Sequence, residues 1–389
     1  MKKLIALLPL FAATACLSES SSTDTTKDAG ATPQAETSVP EGDAAPADPS
    51  SNPVNADTIK YRALATHPGC STAGLSARGA GSEDSPKSNN MKPYEAASIP
   101  GYKCAAKVYP IGSEDASKPI VLLVHGNSST PSDWEAHPTG GTPMLSERLV
   151  SAGYKTIAVD LRYDLVDDPV GPDGATGNPA KNMDHGWAVP IVEHFIDSVM
   201  TANPSRRFAI VSFSLGPTVV RDALRHLHRA GKNPFARMQH LVFAAGAHHG
   251  VSTFRALCGK SPTMRGTVTC EMGDRTAFTV TDFLKPLNGA TGEYETPCAD
   301  GKTAWGQSGV CGGNKVLYTT VTMRDPKDGT YQDEFVSEAA AKLNGADNQV
   351  VELTDTDATN YFYNGLFKSH YGAVRSAKGL DIILAALAK

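Results

Sequence analysis

The sequence lacks a strong charge of either sign. Lys and Arg number 36 and Asp and Glu 41, which gives the 389-residue chain a net charge of −5. Eight acidic residues and one lysine lie in residues 17–57, and two lysines precede them, so residues 58–389 carry no net charge. Because nucleic-acid-binding domains neutralise phosphates with an excess of basic side chains, this balance argues against that class of function.

Motifs for metal ions and nucleotides are also missing. None of the seven cysteines belongs to a Cys-x-x-Cys pair, no GxxxxGK[ST] phosphate loop occurs, and no internal repeat is visible. Metal sites and phosphate loops depend on such local spacings. We therefore expect no metal site and no nucleotide site of these types.

The N-terminus reads MKKLIALLPLFAATAC, two lysines followed by a short apolar run and small residues. The run is too short to span a bilayer, and the pattern is typical of an export signal. Residues 1–16 resemble a bacterial lipoprotein signal, in which the final cysteine, here Cys16, is lipidated and becomes the mature N-terminus. The resemblance implies export and a lipid anchor in the cell envelope, at the outer membrane because Leu17 is not aspartate. The alternative is an ordinary cleaved signal with Cys16 unmodified.

Residues 17–57 are rich in Ser, Thr, Ala, Pro and Asp and have almost no aliphatic residues. Such a segment buries too little apolar surface to offset its ordering entropy, so we expect a disordered acidic linker. The folded domain is then expected over residues 58–389.

Six cysteines remain once Cys16 is set aside for lipid. An exported domain folds in an oxidising compartment, so disulfides are expected, and six cysteines allow 15 connectivities. The sequential pairing is preferred because each pair falls within one loop-rich segment. The expected disulfides are Cys70–Cys104, Cys258–Cys270 and Cys298–Cys311.

Short apolar runs alternate with amphipathic patterns along the folded domain. Runs such as IVLLV at 120–124 and FAIV at 208–211 are typical of buried strands, and LSERLVSA at 145–152 is typical of a helix. This alternation predicts an α/β fold with a mostly parallel central sheet flanked by helices. Residues 251–315 interrupt it with four cysteines and many glycines, which predicts a disulfide-stapled insert.

The stretch SFSLG at 212–216 follows a buried strand and precedes a helical pattern. A serine on such a turn, with small residues two places before and after it, matches a nucleophile elbow in which Ser212 replaces the usual first glycine. We therefore predict that Ser214 is a nucleophile. A serine that only caps the helix is the alternative.

A serine nucleophile needs a base and a carboxylate that orients it. In this type of fold the base follows the acid in the chain, and His370 in SHYG is the only histidine after His249. The predicted acid is Asp333, which we place at the start of a helix, where it could also act as a cap.

Other residues compete for these roles. Asp325 and Asp328 lie in RDPKDG, a pattern typical of a surface turn, and remain the alternatives for the acid. His248 and His249 follow an earlier strand, the wrong place for the base, and are expected to line the site or pack the loop.

Two backbone N–H groups are expected to form an oxyanion hole. One belongs to Leu215, the residue after the nucleophile. The other belongs to Asn127, in the HGN loop that follows the strand at 120–124.

Together, HGN, SFSLG, DEFV and SHYG resemble extracellular lipases and esterases of the α/β-hydrolase fold, over roughly residues 118–389. The resemblance implies hydrolysis of carboxylic esters with an apolar acyl part by Ser214, Asp333 and His370, without a cofactor, in a protein expected to be a monomer. A related branch of extracellular polyhydroxyalkanoate depolymerases shares HGN and a segment like AAGAHHG, so a polyester depolymerase is the alternative. A non-catalytic surface-binding module that kept the fold is a third hypothesis.

Overall fold

A computed structural model of the protein describes residues 106–109, 112–127, 129, 131–135, 143–161, 185–254, 268, 271–273, 283–304, 307–308, 311–324, 333, 335–352 and 368–389. Several predictions fall outside these residues: the signal at 1–16 with Cys16, the linker at 17–57, the disulfides Cys70–Cys104 and Cys258–Cys270, and the alternative acids Asp325 and Asp328. Among the helices that are described, none has the length and apolar character needed to cross a membrane.

Seven strands form the central sheet. They are β1 (Ala106–Tyr109), β2 (Ile120–Val124), β3 (Thr156–Val159), β4 (Phe208–Phe213), β5 (Met238–Ala244), β6 (Leu317–Arg324) and β7 (Asp347–Glu352). Their order across the sheet is β1-β3-β2-β4-β5-β6-β7, and only β1 runs antiparallel to its neighbour. A parallel sheet brings the carboxyl ends of its strands to one edge, which is where ligands bind in such folds.

Helices cover both faces of this sheet. They are α1 (Leu145–Ser151), α2 (His185–Ala202), α3 (Gly216–Arg229), α4 (Lys285–Asn288), α5 (Glu338–Ala341), α6 (Lys368–Arg375) and α7 (Ala377–Leu387). Alternate residues of β2 point to opposite faces: Ile120 and Leu122 pack with α2 and α3, whereas Val121 and Leu123 pack with α1 and α7. Because both faces are buried, the strand reads as one apolar run.

The predicted fold class is confirmed: the chain has a mostly parallel seven-stranded sheet, flanking helices and the arrangement of an α/β-hydrolase fold. The sequence pattern did not reveal β1, since its four residues AKVY include the buried Lys107 and break the apolar run. Lys107 is buried because its ammonium group pairs with Glu135, whose carboxylate oxygen lies 3.3 Å away.

The insert is closed by a disulfide of its own and is held to helix α3 by polar contacts. The predicted Cys298–Cys311 disulfide is present, and both cysteines are buried in the core. The guanidinium of Arg221, on α3, reaches the insert and donates to the backbone carbonyl of Leu287 at 2.8 Å and to the Asn288 side chain at 2.9 Å. The described part of the insert therefore packs on α3 as an extension of the core.

Candidate active site

Ser214 occupies a strained turn between β4 and α3. Its φ of 59° lies in the left-handed region, which costs a residue with a side chain about 1–2 kcal/mol. The turn is held by the Ser214 N–H, which donates to the Ala244 carbonyl of the neighbouring strand at 3.0 Å. This backbone conformation directs the Ser214 side chain away from the sheet. The side chain is half-buried. Strain of this kind is typical of functional sites.

The small residues around the elbow are required by the close approach of α3. A Cβ atom at Gly216 would lie 2.6 Å from the Val124 carbonyl oxygen and 3.3 Å from the Ser212 Cβ atom. Ser212 is fully buried next to Val124 in the sheet, so a larger side chain there would push the helix away. Serine is therefore tolerated in place of the usual glycine at position 212.

Ser214, His370 and Asp333 form one continuous chain of hydrogen bonds. The Ser214 Oγ lies 2.8 Å from His370 Nε2, and His370 Nδ1 lies 2.8 Å from Asp333 Oδ2. Asp333 is fully buried and His370 is 5% exposed. The carboxylate accepts a hydrogen bond from Nδ1–H, so Nε2 is the ring nitrogen that can accept the serine proton. The arrangement can therefore activate the hydroxyl as a nucleophile.

The helix expected to begin near Asp333 is a wrong prediction. Helix α5 begins at Glu338, and its N-cap is Ser337, whose side chain accepts from the Ala340 N–H. Asp333 instead closes a tight turn, in which its Oδ1 accepts the backbone N–H groups of Phe335 at 2.8 Å and Val336 at 2.6 Å. These two bonds hold the carboxylate while its other oxygen faces His370.

The predicted base is held by a helix and by two aromatic rings. His370 lies inside helix α6, which is followed by the closing helix α7, and its ring packs between Phe213 at 5.0 Å and Phe335 at 5.1 Å. A helix backbone and two aromatic neighbours restrict the imidazole to the orientation that the Ser214 hydroxyl needs.

Asn127 and Leu215 both lie in the wall of the cavity beside Ser214. The HGN loop reaches this position because Gly126 has no side chain: a Cβ atom there would lie 2.8 Å from the Ser214 Cβ. The geometry thus brings both predicted oxyanion residues into the cavity wall that also contains Ser214.

The buried His125 orients the peptide that carries the Asn127 N–H. The Leu161 N–H donates to His125 Nε2 at 2.9 Å, so Nδ1 carries the ring proton and donates to the Gly126 carbonyl at 2.9 Å. That carbonyl belongs to the same planar peptide as the Asn127 N–H, so fixing one fixes the other. The sequence indicated HG as part of the loop, but not this role of the histidine.

The cavity beside Ser214 has a volume of about 240 Å³ and an almost entirely apolar wall. Its apolar lining comes from the elbow, the loop after β5, the insert, the turn after Asp333 and helix α6: Phe213, Leu215, Ala247, Val251, Phe254, Val268, Met272, Phe335, Val336 and Tyr371. The described part of this wall contains no carboxylate, lysine or arginine side chain. Such a cavity accepts an apolar, uncharged group next to the nucleophile.

His248 and His249 do not line this cavity. His248 is fully buried beside Arg221, and burial, together with the nearby charges of Arg221 and His249, holds its pKa well below the usual value. His249 donates to the Lys342 carbonyl and lies 3.4 Å from Glu295. Both histidines therefore pack the insert against the core. Of the two expectations from the sequence, lining the site or packing the loop, the second describes them. In the part of the chain that is described, no group of side chains could hold a metal ion.

Comparison with known proteins finds similar structures but no sequence relatives. No family model and no curated protein matches the chain. The lipase BlEst2 of Bacillus licheniformis, in its mature form, is 16% identical, with a TM-score of 0.46 over 72% of this chain and 95% of its own. Lipase B of Aspergillus fumigatus is 17% identical, with a TM-score of 0.44 over 79% of this chain and 62% of its own. The carboxylesterase CesB of Bacillus subtilis is 10% identical, with a TM-score of 0.36 over 72% and 86%. At this level of similarity, the chemistry of the site follows only from its own geometry.

Proposed function

We propose that the protein is a serine hydrolase of carboxylic esters. The observation that carries this proposal is the chain of two 2.8 Å hydrogen bonds from Ser214 through His370 to the buried Asp333, at the edge of an apolar cavity. A serine that only caps α3 would not need this partner, and the N-cap of the helix is Leu215.

The reaction begins when His370 takes the Ser214 proton and the Ser214 oxygen attacks the ester carbonyl. The negative oxygen of the tetrahedral intermediate is met by the N–H groups of Asn127 and Leu215, and each such donor contributes about 3–4 kcal/mol. His370 then donates its proton to the leaving alcohol. The acyl group stays on Ser214 until water, deprotonated by His370, releases it. Asp333 stabilises the imidazolium that forms in each half of the reaction.

The cavity favours an ester with an uncharged aliphatic acyl group. Each methylene that is transferred from water into an apolar wall contributes about 0.8 kcal/mol, which corresponds to about a fourfold rise in kcat/KM. We therefore expect kcat/KM on p-nitrophenyl esters to rise from acetate through butyrate and then to level off when the cavity is full. A flat series would contradict the use of this cavity for the acyl group.

A fluorophosphonate probe tests the nucleophile directly. Wild-type protein is expected to be labelled at Ser214, and Ser214→Ala is expected to lose both labelling and hydrolysis without a change in unfolding temperature. Ser146→Ala is the matched control, because Ser146 is a buried serine on α1, away from the cavity. A folded wild-type chain that is not labelled would refute the proposal and support the non-catalytic binding module.

We also propose, from the sequence alone, that the chain is exported and lipidated at Cys16. Metabolic labelling with an alkyne fatty acid should mark the wild-type chain and not Cys16→Ser, and membrane fractionation should place the wild type in the outer membrane. An unmodified, fully soluble chain would refute this part of the proposal without affecting the hydrolase.

A further inference from the structure

A carboxylate of the insert is paired with a histidine in the core beneath the cavity. Glu271 Oε2 lies 2.5 Å from His185 Nδ1 and also accepts the backbone N–H of His185 at 3.3 Å. Glu271 is 1% exposed and His185 is 0% exposed, and the ring of Phe283 packs on the imidazole at 4.0 Å. A buried ionisable pair of this kind is costly to break, because the group that is left behind stays buried without its partner.

The other side of this histidine contacts the nucleophile elbow. His185 Nε2 lies 2.9 Å from the Thr218 hydroxyl, which in turn lies 3.0 Å from the Leu215 carbonyl oxygen. A threonine that bonds a carbonyl in the preceding turn of a helix is common. Here the same hydroxyl is also hydrogen-bonded to the buried imidazole of His185. Thr218 and His185 therefore connect Leu215 to Glu271 of the insert. We name Glu271, His185 and Thr218 the Glu271–His185–Thr218 network.

The insert residues next to Glu271 form part of the cavity wall. Val268 and Met272 line the cavity on either side of it, and the Met272 carbonyl accepts the backbone N–H of Val251, a third lining residue, at 2.7 Å. The position of Glu271 therefore sets the position of this part of the wall.

The protons of the network can be counted. The Thr218 hydroxyl has one proton, which it donates to the Leu215 carbonyl oxygen. His185 Nε2 therefore donates to the Thr218 oxygen, while Nδ1 of the same ring faces Glu271. The link between Leu215 and the insert needs all three side chains.

We propose that the Glu271–His185–Thr218 network positions the oxyanion residue Leu215 and the acyl-binding wall as one unit. The Leu215 carbonyl and N–H lie in the two peptides that flank its Cα, so a bond that fixes the carbonyl restricts the rotation of the N–H. None of the three side chains touches the reacting atoms, and all three are positioning residues. The inference rests on the proposed ester hydrolase.

Two variants that preserve side-chain shape test the network. Thr218→Val removes the hydroxyl, and we expect kcat per active site, titrated with the fluorophosphonate, to fall about tenfold on p-nitrophenyl acetate. This loss is smaller than the roughly 10²–10³-fold loss of kcat that follows removal of a whole oxyanion donor, because the Leu215 N–H is still present. Thr218→Ser restores the hydroxyl and should restore kcat.

Glu271→Gln tests whether Glu271 positions both Leu215 and the cavity wall or only the cavity wall. If the network acts as one unit, Glu271→Gln lowers kcat on the acetate ester, which has the shortest acyl group, and also raises KM for the octanoate ester. The double variant Thr218→Val/Glu271→Gln should then lose no more kcat than the larger single effect, because both changes break the same network.

Thr319→Val is the matched control. It removes a similar buried bond, 2.8 Å from Thr319 Oγ1 to His240 Nε2, in the part of the sheet remote from Ser214. We expect it to lower the unfolding temperature as Thr218→Val does and to leave kcat per active site unchanged. Wild-type kcat in Thr218→Val, or an equal loss in Thr319→Val, would refute the network as a positioning device. A wild-type chain that is neither labelled nor active would instead refute the proposed hydrolase.

Discussion

Replacing Asp333 by asparagine tests the hydrogen-bond chain most sharply, because the structure dictates how the new side chain must sit. Asp333 Oδ1 accepts two backbone N–H groups, from Phe335 and Val336, whereas Oδ2 faces His370. Only the oxygen of an amide can accept those N–H groups, so it takes the Oδ1 position. The amide nitrogen then faces His370 and donates to Nδ1.

This exchange places the imidazole proton on the wrong nitrogen. Nδ1 must accept from the amide, so the neutral ring carries its proton on Nε2, 2.8 Å from the Ser214 Oγ. A nitrogen that already carries a proton cannot take one from Ser214. In serine proteases the corresponding change lowers kcat about 10⁴-fold, and each tenfold step is about 1.4 kcal/mol of barrier, so we expect the barrier to rise by about 5.5 kcal/mol here.

The assay is the hydrolysis of p-nitrophenyl butyrate, together with urea unfolding. Asp333→Asn should lose about 10⁴-fold in kcat while its free energy of unfolding changes little, since the turn keeps both of its N–H bonds. Asp347→Asn is the control, because it removes a carboxylate that pairs with Lys389 and does not touch the site. A loss of less than tenfold in Asp333→Asn would refute this reasoning. Asp325→Asn and Asp328→Asn are expected to change the rate only slightly. An inactive Asp328→Asn variant would instead identify Asp328 as the acid that orients His370.

Three further changes have defined outcomes. Gly216→Ala places a Cβ atom 2.6 Å from the Val124 carbonyl oxygen and should lower the free energy of unfolding by about 3 kcal/mol in urea titration. Replacing Cys298 and Cys311 together by serine opens a loop of 13 residues and should cost about 3 kcal/mol by the same measurement. Burial lowers the pKa of His240 from 6.5 to about 4, so the unfolded chain binds a proton that the folded chain excludes. Its contribution to stability is therefore lost as the pH falls from 6.5 towards 4, and His240→Gln should show a shallower loss over that range.

Each of these expectations has a control or an opposing result. Gly112→Ala introduces a methyl group into open space and should be nearly neutral, so equal losses at Gly112 and Gly216 would contradict the clash. Non-reducing peptide mapping should recover Cys298 linked to Cys311, and a Cys70–Cys311 peptide would contradict the local pairing. If the free energy of unfolding of His240→Gln depends on pH as steeply as that of the wild type, other groups cause the loss of stability in acid.

Much of the site could be predicted from the sequence because its signals are local. The elbow needs small residues beside a serine between a strand and a helix, and those constraints act within five positions, 212–216. The structure places the Ser214 and Asp333 side chains within hydrogen-bond distance of His370, and Asn127 and Leu215 lie in the wall of the same cavity. The helix boundary near Asp333 was wrong because aspartate closes tight turns as readily as it caps helices.

Other features could not be predicted, because they join segments that are far apart in the chain. His185 and Glu271 are separated by 86 residues, and no local pattern marks either as the partner of the other. Lys107 breaks the apolar pattern of its strand and is buried only because Glu135 folds back onto it. The role of His125 depends on the backbone N–H of Leu161, which a parallel strand brings to its ring.

The sequence by itself determined the alternation of strands and helices and the strained elbow at Ser214, because backbone sterics and apolar periodicity act over a few residues. Only the tertiary structure decided which carboxylate oxygen faces His370, which side chains line the cavity and how Glu271 reaches the elbow. Those contacts are made in the buried interior, where an ionisable or hydrogen-bonding group is stable only if its partner lies within about 3 Å. That partner is supplied by the fold and not by the neighbouring sequence.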